Sequence, residues 1–421
     1  MLFPFFINYH LLVLYTKLNL INIYLDIILL LINKGKKYLF TLIILQQFNI
    51  TEKIKNLDIH DIEENLFHYP YDSKSLKSLF RNNISQDDPA YISSYSSFRG
   101  EVYENVVYEL LLQYVFDEDL ITRFVLKGPY QDKENAFIKS GLLIDKSAQI
   151  VYKSAYKDIS EFDALFFTKD SVYFVEMSTS KKTASLNKRL VKKYALLKMI
   201  FPTLIIRALI IVTKGSVGLR NFPDYATVWV TKDLDDDDLI KRIIFAKKTK
   251  KNNTTLKAQR HKKYIETYRV KYQKFQYFPT LEWILNKSRA HPKFTVDLKF
   301  FSSAKLGLFF DIYTKLYIGY ISKEDFLILY PEFNLKVRTN RVIVTIEKVN
   351  QSELDLVYYA KEENGKLKRI RLQKDDVSIK DKELDGFTNA EVRFFMKVLK
   401  PEHILNVSNI NHIKDNLQLI K

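Results

Sequence analysis

The sequence predicts an α/β protein whose core runs helix, three strands, helix, strand, followed by a C-terminal α+β, β-rich accessory domain. Three observations support this fold class. Apolar residues recur at helical spacing in residues 101–116 and 184–200, and apolar runs of strand length occupy residues 159–168, 171–179 and 204–213. Further β-rich runs follow residue 293. With 421 residues, the chain is long enough for two or three domains.

The core elements follow in this order. The apolar spacing of residues 101–116 predicts a helix with one buried face. Residues 123–127 are predicted to form a strand, and a loop is predicted to follow it up to residue 140. The runs at 159–168 and 171–179 are separated by Lys169-Asp170, which predicts a hairpin. Residues 184–200 predict a helix that ends at Phe201-Pro202, and residues 204–213 predict a buried strand.

Composition divides the chain into five segments. They are a hydrophobic N-terminal segment at 1–50, a polar helical lead-in at 51–97, the core at 98–230, a basic helical connector at 231–292 and the accessory domain at 293–421. Within the accessory domain, β-rich runs occupy 294–301, 306–321, 335–349, 354–360 and 366–372. Asn364-Gly365 predicts a hairpin between the last two runs. A helix at 389–399 and a short tail complete the chain.

The first 50 residues leave three interpretations open. They form a membrane-associated hairpin, a helical layer packed on the core, or translated sequence upstream of the true start. Each apolar run is shorter than the ~18–20 residues of a spanning helix, and Asp26 interrupts the middle run. We therefore expect a cytoplasmic protein and do not favour membrane attachment through residues 1–46, although membrane association stays open.

The balance of charged residues favours a polyanionic partner. Lys and Arg number 66 against 49 Asp and Glu, which gives a net charge of +17 and suits nucleic acid or an anionic membrane surface. A lysine-rich proteome would produce part of the same excess. The chain has no cysteine, so disulfides, zinc ribbons, iron–sulfur clusters and cysteine nucleophiles are excluded. The P-loop, GxGxxG, GxSxG and HExxH motifs are absent as well.

Two acids stand in strongly apolar strands. Asp163 lies in the run at 159–168 and Glu176 in the run at 171–179, where an unpaired charge would cost several kcal/mol. Two carboxylates on adjacent buried strands repel each other, and a divalent cation relieves that repulsion. Glu104 lies at the flank of the buried face of the first helix, whereas Glu101 and Glu109 point away. With seven scattered histidines, carboxylate ligands favour Mg²⁺ or Mn²⁺.

These residues resemble the PD-(D/E)xK nuclease superfamily over about residues 98–214. The resemblance rests on Arg99-Gly100, Glu104, Asp163, Glu176-Met177-Ser178 and the following Lys-rich helix and apolar strand. It implies a restriction-endonuclease-like core in which Glu104, Asp163 and Glu176 bind Mg²⁺ and a lysine orients the attacking water. It also implies a metal-dependent endonuclease, and we favour DNA as its substrate, in restriction or defence against mobile elements.

The lysine of the family pattern is missing, because Ser178 stands two residues after Glu176. We expect a relocated lysine to supply the charge: Lys181 first for its proximity, Lys188 second for its rigid helix, and Lys182 third. The alternative is a catalytically inactive nuclease-fold protein that acts as a nucleic-acid-binding or assembly module. In an inert sheet, Asp163 and Glu176 would form structural ion pairs with Lys188 or Arg189.

A basic segment at 247–274 interleaves lysines and arginines with tyrosines at helical spacing. We expect it to contact nucleic acid through phosphate-binding cations and a stacking tyrosine: Lys262, Lys263, Tyr268, Lys271 and Lys274. A solvated helix face or a core stripe of tyrosines would give the same pattern. A homodimer is compatible with the sequence.

Overall fold

The structure is a computed structural model in which the chain forms two compact units, Met1–Asn49 and Ile50–Lys421. It describes residues 48–130, 141–145, 149–154, 157–246, 262–265, 304–312, 315–333, 340–348, 354–361, 367–370, 372 and 404–418. Every described helix and strand belongs to the second unit. The predicted elements at 294–301 and 389–399, the hydrophobic segment up to residue 47 and most of the basic segment lie outside the described residues.

The described part of the chain contains nine α-helices and fourteen strands. The helices are α1 Glu52–Asn56, α2 Glu63–Leu66, α3 Lys74–Arg81, α4 Pro89–Asp117, α5 Ala184–Ile200, α6 Asp237–Phe245, α7 Ala304–Ile312, α8 Lys323–Leu329 and α9 Val407–Gln418. The strands of the first half are β1 Arg123–Val125, β2 Gly141–Ile144, β3 Ile150–Ser154, β4 Lys157–Phe162, β5 Ala164–Phe167, β6 Ser171–Ser178, β7 Ile205–Thr213 and β8 Ala226–Thr231. The remaining strands are β9 Tyr264–Ile265, β10 Lys315–Ser322, β11 Arg341–Lys348, β12 Leu354–Lys361, β13 Leu367–Ile370 and β14 Ile404–Leu405.

The strands form three sheets, so the chain is a mixed α/β protein. The largest sheet has the order β8-β7-β6-β5-β1-β9, a second has the order β13-β12-β11-β10-β14, and a small third sheet is β2-β3-β4. In the largest sheet, β6, β7 and β8 run parallel, whereas β5 is antiparallel to both β6 and β1. A helix, α5, connects the parallel strands β6 and β7, as parallel pairing requires.

Both faces of the six-stranded sheet are buried at its centre. On β7, Ala208 and Ile210 belong to a hydrophobic core that also contains α5, α7 and the C-terminal sheet. The intervening Leu209 and Ile211 are equally buried but lie outside that core, because successive side chains point to opposite faces. Helix α4 supplies a second buried layer, and its Tyr103 hydroxyl lies 2.9 Å from the Thr231 hydroxyl of β8.

Several predicted elements are confirmed. Helix α5 spans the predicted residues 184–200, β6 and β7 match their runs to within a residue, and β5 and β6 form the predicted hairpin. Strands β12 and β13, which flank Asn364-Gly365, pair antiparallel, and the predicted turn itself lies outside the described residues. Helix α4 begins twelve residues earlier than predicted, at Pro89 instead of residue 101. The Asp88 carboxylate caps it, accepting from the Ala90 amide at 2.8 Å, and proline suits the first helical turn.

Other predictions gave the wrong boundaries or the wrong type of element. The apolar run at 159–168 is two strands, β4 and β5, that belong to different sheets and meet at Asp163. The run at 306–321 begins as helix α7, since a fully apolar run does not distinguish a buried helix from a buried strand. The predicted tail contains helix α9. No helix in the described ranges combines the length and the apolarity needed to cross a membrane.

Candidate functional site

Asp163 stands where the chain passes from the three-stranded sheet into the six-stranded sheet. Its neighbour Ala164 pairs with Val175 of β6, so Asp163 lies beside Glu176 across the hairpin. The Asp163 Oδ2 accepts a 2.6 Å hydrogen bond from the Met177 amide. This bond fixes the carboxylate against β6 at the point where the two strands begin to pair.

Glu176 lies near the end of β6, and its side chain is 1% exposed. Its Oε1 forms an ion pair with the Lys193 ammonium, which extends from α5 and belongs to a side chain that is 8% exposed. Its Oε2 is buried without a hydrogen-bond partner among the described residues, although Arg189 Nη1 lies 3.8 Å away. Burial and the nearby Asp163 carboxylate raise the pKa of Glu176 to about 7, and Lys193 opposes that rise.

Glu104 extends from the middle of α4 and forms an ion pair with Lys127, whose side chain is 1% exposed. Burial raises the pKa of Glu104, Lys127 opposes the rise, and the Asp163 carboxylate adds to it. Asp163 therefore interacts electrostatically with both Glu104 and Glu176. The site consists of two carboxylate–lysine pairs, Glu104–Lys127 and Glu176–Lys193, on either side of Asp163.

A divalent cation requires hard oxygen ligands, and the carboxylates of the site can be compared with that requirement. The unpartnered Oε2 of Glu176 and the adjacent Asp163 carboxylate fit one, because both are hard oxygen donors whose mutual repulsion a cation relieves. In the described part of the chain, no three Asp, Glu or His side chains converge tightly enough to hold an ion. Both glutamates pair with a lysine, Glu104 with Lys127 and Glu176 with Lys193, and the oxygen without a hydrogen-bond partner among the described residues is the Glu176 Oε2.

The predicted lysines lie elsewhere. The Lys181 ammonium donates to the Thr213 hydroxyl at 3.1 Å, to the Lys214 carbonyl at 2.5 Å and to the Asp233 carboxylate at 2.6 Å. Lys188 is exposed on α5, and the described residues give it no ion pair. Lys182 is exposed, and its backbone bridges to Val217. None of the three forms an ion pair with Glu176, and the lysine that does is Lys193.

Little of the predicted nucleic-acid surface falls within the described residues. Tyr268, Lys271 and Lys274 lie outside them, and Lys262 is exposed. Lys263 differs from the expectation, because it is 8% exposed. Its ammonium donates to the carbonyls at the end of α4: Val115 at 3.3 Å, Phe116 at 3.4 Å and Glu118 at 3.0 Å. A lysine near a helix C-terminus satisfies carbonyls that lack intrahelical donors, so Lys263 has a structural role here.

Sequence reasoning missed Lys193, Lys127 and Glu109. A signal existed for Lys193, which occupies the buried face of α5 at helical spacing between Leu190 and Leu197 and is therefore a lysine in an apolar stripe. Lys127 lies just after the apolar strand β1. Glu109 was expected to point away from the buried face of the helix, and that prediction was wrong, because Glu109 is 1% exposed. It accepts hydrogen bonds from three groups on other elements: Tyr69 at 2.6 Å, Tyr130 at 2.9 and 3.0 Å, and Asn65 at 3.1 Å.

Comparison of the chain with protein-family models, with curated proteins and with solved structures finds no match. A function is therefore inferred from the geometry of the site itself.

Proposed function

We propose that the protein is a Mg²⁺- or Mn²⁺-dependent endonuclease that hydrolyses phosphodiester bonds, with DNA as the favoured substrate. The proposal includes a restriction-endonuclease-like core, formed by α4, β1, β5, β6, α5 and β7. One observation carries it: a buried glutamate on a central strand keeps an oxygen without a hydrogen-bond partner among the described residues, beside a second carboxylate and a buried lysine. Strongly perturbed acids grouped in this way are typical of functional sites.

The residues divide the chemistry between them. Asp163 and Glu176 would hold the cation, which when bound acts as a Lewis acid on a phosphoryl oxygen and makes water more acidic. Lys193 stabilises the negative charge that develops on the phosphate during attack, because its ammonium is held rigidly in a site that excludes bulk water. Glu104 holds Lys127 beside Asp163 and keeps a second positive charge near the substrate.

Two observations support the rival candidate, an inactive nuclease-fold protein that binds nucleic acid or organises an assembly. Ser178 replaces the family lysine. In addition, Lys127 and Lys193 neutralise two glutamates that would otherwise be free to bind a cation. A single experiment separates the candidates, because the rival requires binding without cleavage under every metal condition.

The test is nicking of supercoiled plasmid with Mg²⁺, with Mn²⁺ and with EDTA. We expect metal-dependent nicking that Asp163→Asn and Glu176→Gln each lower by at least about 100-fold. These amides keep the shape of the side chain but lose its charge. Asp170→Asn is the matched control, since Asp170 caps the hairpin turn through Thr168 and Ser171, and it should retain activity. Wild-type nicking that survives EDTA, or unimpaired carboxamide variants, would contradict the proposal.

A further inference from the structure

Arg189 connects the buried carboxylates of the site to the exposed surface of α5. Its Nη1 atom lies 3.8 Å from Glu176 Oε2, and its side chain is 53% exposed, whereas the Glu176 side chain is 1% exposed. Lys193 follows one helical turn later and pairs with the other oxygen, Oε1. Both cations therefore approach the same carboxylate, and Arg189 is the one of the two that a large ligand can reach.

The contact between Arg189 and Glu176 leaves the guanidinium available to a ligand. At 3.8 Å the two groups attract each other as charges, but no hydrogen bond joins them, since Glu176 Oε2 has no hydrogen-bond partner among the described residues. A guanidinium carries five N–H donors in a planar fork, and the described part of the chain accepts none of those of Arg189. A half-exposed arginine with unused donors suits an anion from solution.

After Glu176, the sequence around Arg189 contains no acid that would repel an anion. From residue 177 to residue 222 there is no aspartate or glutamate, whereas the whole chain has 49 of them among 421 residues. Helix α5 lies within this range, so its exposed residues are all neutral or basic. A lysine-rich composition adds positive charge but does not remove acids. The absence of acids is therefore a local property of this stretch, and it favours a polyanionic ligand at α5.

The shape of the guanidinium limits which anions it favours. Two of its N–H groups match two oxygens of one phosphate, and a lysine cannot reproduce this bidentate contact. A contact of this kind fixes the position of a nucleic-acid strand without reading its sequence. Glu176 Oε2 lies beside the guanidinium, so a phosphate held by Arg189 would lie next to the carboxylates that the proposed function assigns to a cation.

We propose that Arg189 binds a phosphate of the substrate strand through two N–H groups of its guanidinium and so places the strand against the carboxylates of the site. The inference rests on the proposed function for its substrate. It makes Arg189 a substrate-binding residue rather than a structural partner of Glu176. A structural partner would contribute to the stability of the fold, whereas a phosphate-binding arginine contributes to the affinity for every DNA sequence.

The test is binding of a labelled duplex oligonucleotide to the full-length protein in EDTA, measured by fluorescence anisotropy over a range of salt concentrations. Arg189→Gln should weaken binding about tenfold at about 100 mM salt and should lower the slope of log K against log salt concentration by about 0.9, the value for one phosphate. Two oligonucleotides of unrelated sequence should lose the same factor. Arg189→Lys keeps the charge without the fork, so it should keep the slope and recover only part of the affinity. Arg81→Gln, exposed on α3, is the control and should bind as wild type does.

The outcomes separate this inference from the proposed function. If the wild type nicks DNA but a folded Arg189→Gln variant keeps its affinity and salt slope, the inference is overturned and the nuclease stands. A loss confined to one of the two oligonucleotides, or an Arg189→Lys variant equal to wild type in affinity, also overturns the bidentate phosphate contact. A flatter slope for Arg189→Gln, in a protein that cleaves nothing under any metal condition, supports the contact and overturns the nuclease. A wild type that binds no DNA overturns both.

Discussion

Replacing Lys193 with methionine is expected to lower the single-turnover rate of DNA cleavage about 100-fold, the usual cost of removing one group that stabilises a developing oxyanion. Methionine keeps most of the apolar stem that α5 buries but removes the ammonium. Lys193 is 8% exposed and Glu176 is 1% exposed. Bulk water therefore has little access to the site and cannot take over the stabilising role of the lost ammonium. The effect should fall on the rate of the chemical step rather than on DNA binding.

The same substitution should also lower the free energy of unfolding, by an amount that depends on whether Glu176 is protonated. An unpaired buried carboxylate costs about 3–5 kcal/mol, unless it takes up a proton. The pKa of Glu176 is already raised to about 7, and removing Lys193 raises it further. A folded-state pKa above the unfolded value makes the protein most stable at low pH, with stability lost as the pH rises through the folded pKa. The variant should therefore match wild type at acidic pH and unfold more easily at alkaline pH.

The assay is nicking of supercoiled plasmid by excess protein with Mn²⁺, at a pH where circular dichroism shows both proteins folded. Lys188→Met is the matched control, because Lys188 lies on the same helix with its side chain exposed. Adding Ser178→Lys to the Lys193→Met protein should restore part of the rate. The reasoning is refuted if Lys193→Met cleaves within about twofold of wild type, or if Lys188→Met is the impaired variant.

Two further predictions concern stability. Between about pH 4.5 and pH 7, Glu176 should lower the unfolding free energy of the wild type by about 3 kcal/mol, since each unit of pKa difference is worth 1.36 kcal/mol. Urea titrations should show that Glu176→Gln flattens this dependence, and an unchanged slope would contradict the assignment. Lys263→Met should cost about 2 kcal/mol, since it removes charged hydrogen bonds to carbonyls of α4. It should leave the salt dependence of DNA binding unchanged, and a flatter dependence would return Lys263 to the phosphate-binding set.

Local pattern was enough to predict the hairpin and the helix that build the centre of the site. Strands β5 and β6 show their apolar runs and their turn directly in the sequence, and α5 shows both its spacing and its end at Phe201-Pro202. The adjacency of Asp163 and Glu176 follows from hairpin pairing alone. This part of the site is built from residues that are close in sequence, and the periodicity of apolar residues reveals local structure of that kind.

The remaining features depend on contacts between distant residues. The three-stranded sheet has strands of four to six residues, too short for a clear pattern, and Asp163 breaks an apolar run without any turn residue to mark the break. Lys263 reaches α4 across about 145 residues, so its sequence neighbours show its charge and nothing of its burial. Lys127 and Glu104 meet only because β1 lies beside α4. Tertiary packing decides these contacts, and local propensity does not encode it.

Ser178 and Lys193 are best understood together. Residues two apart on a strand point to the same face, so a lysine at position 178 would project from the face of β6 that carries Glu176. Helix α5 covers that face, and its Lys193 already places an ammonium on Glu176. A second ammonium there would add a like charge close to the ammonium of Lys193. A small hydroxyl at position 178 and a lysine in the apolar stripe of α5 thus form one consistent arrangement, in which the helix supplies the charge that the strand lacks.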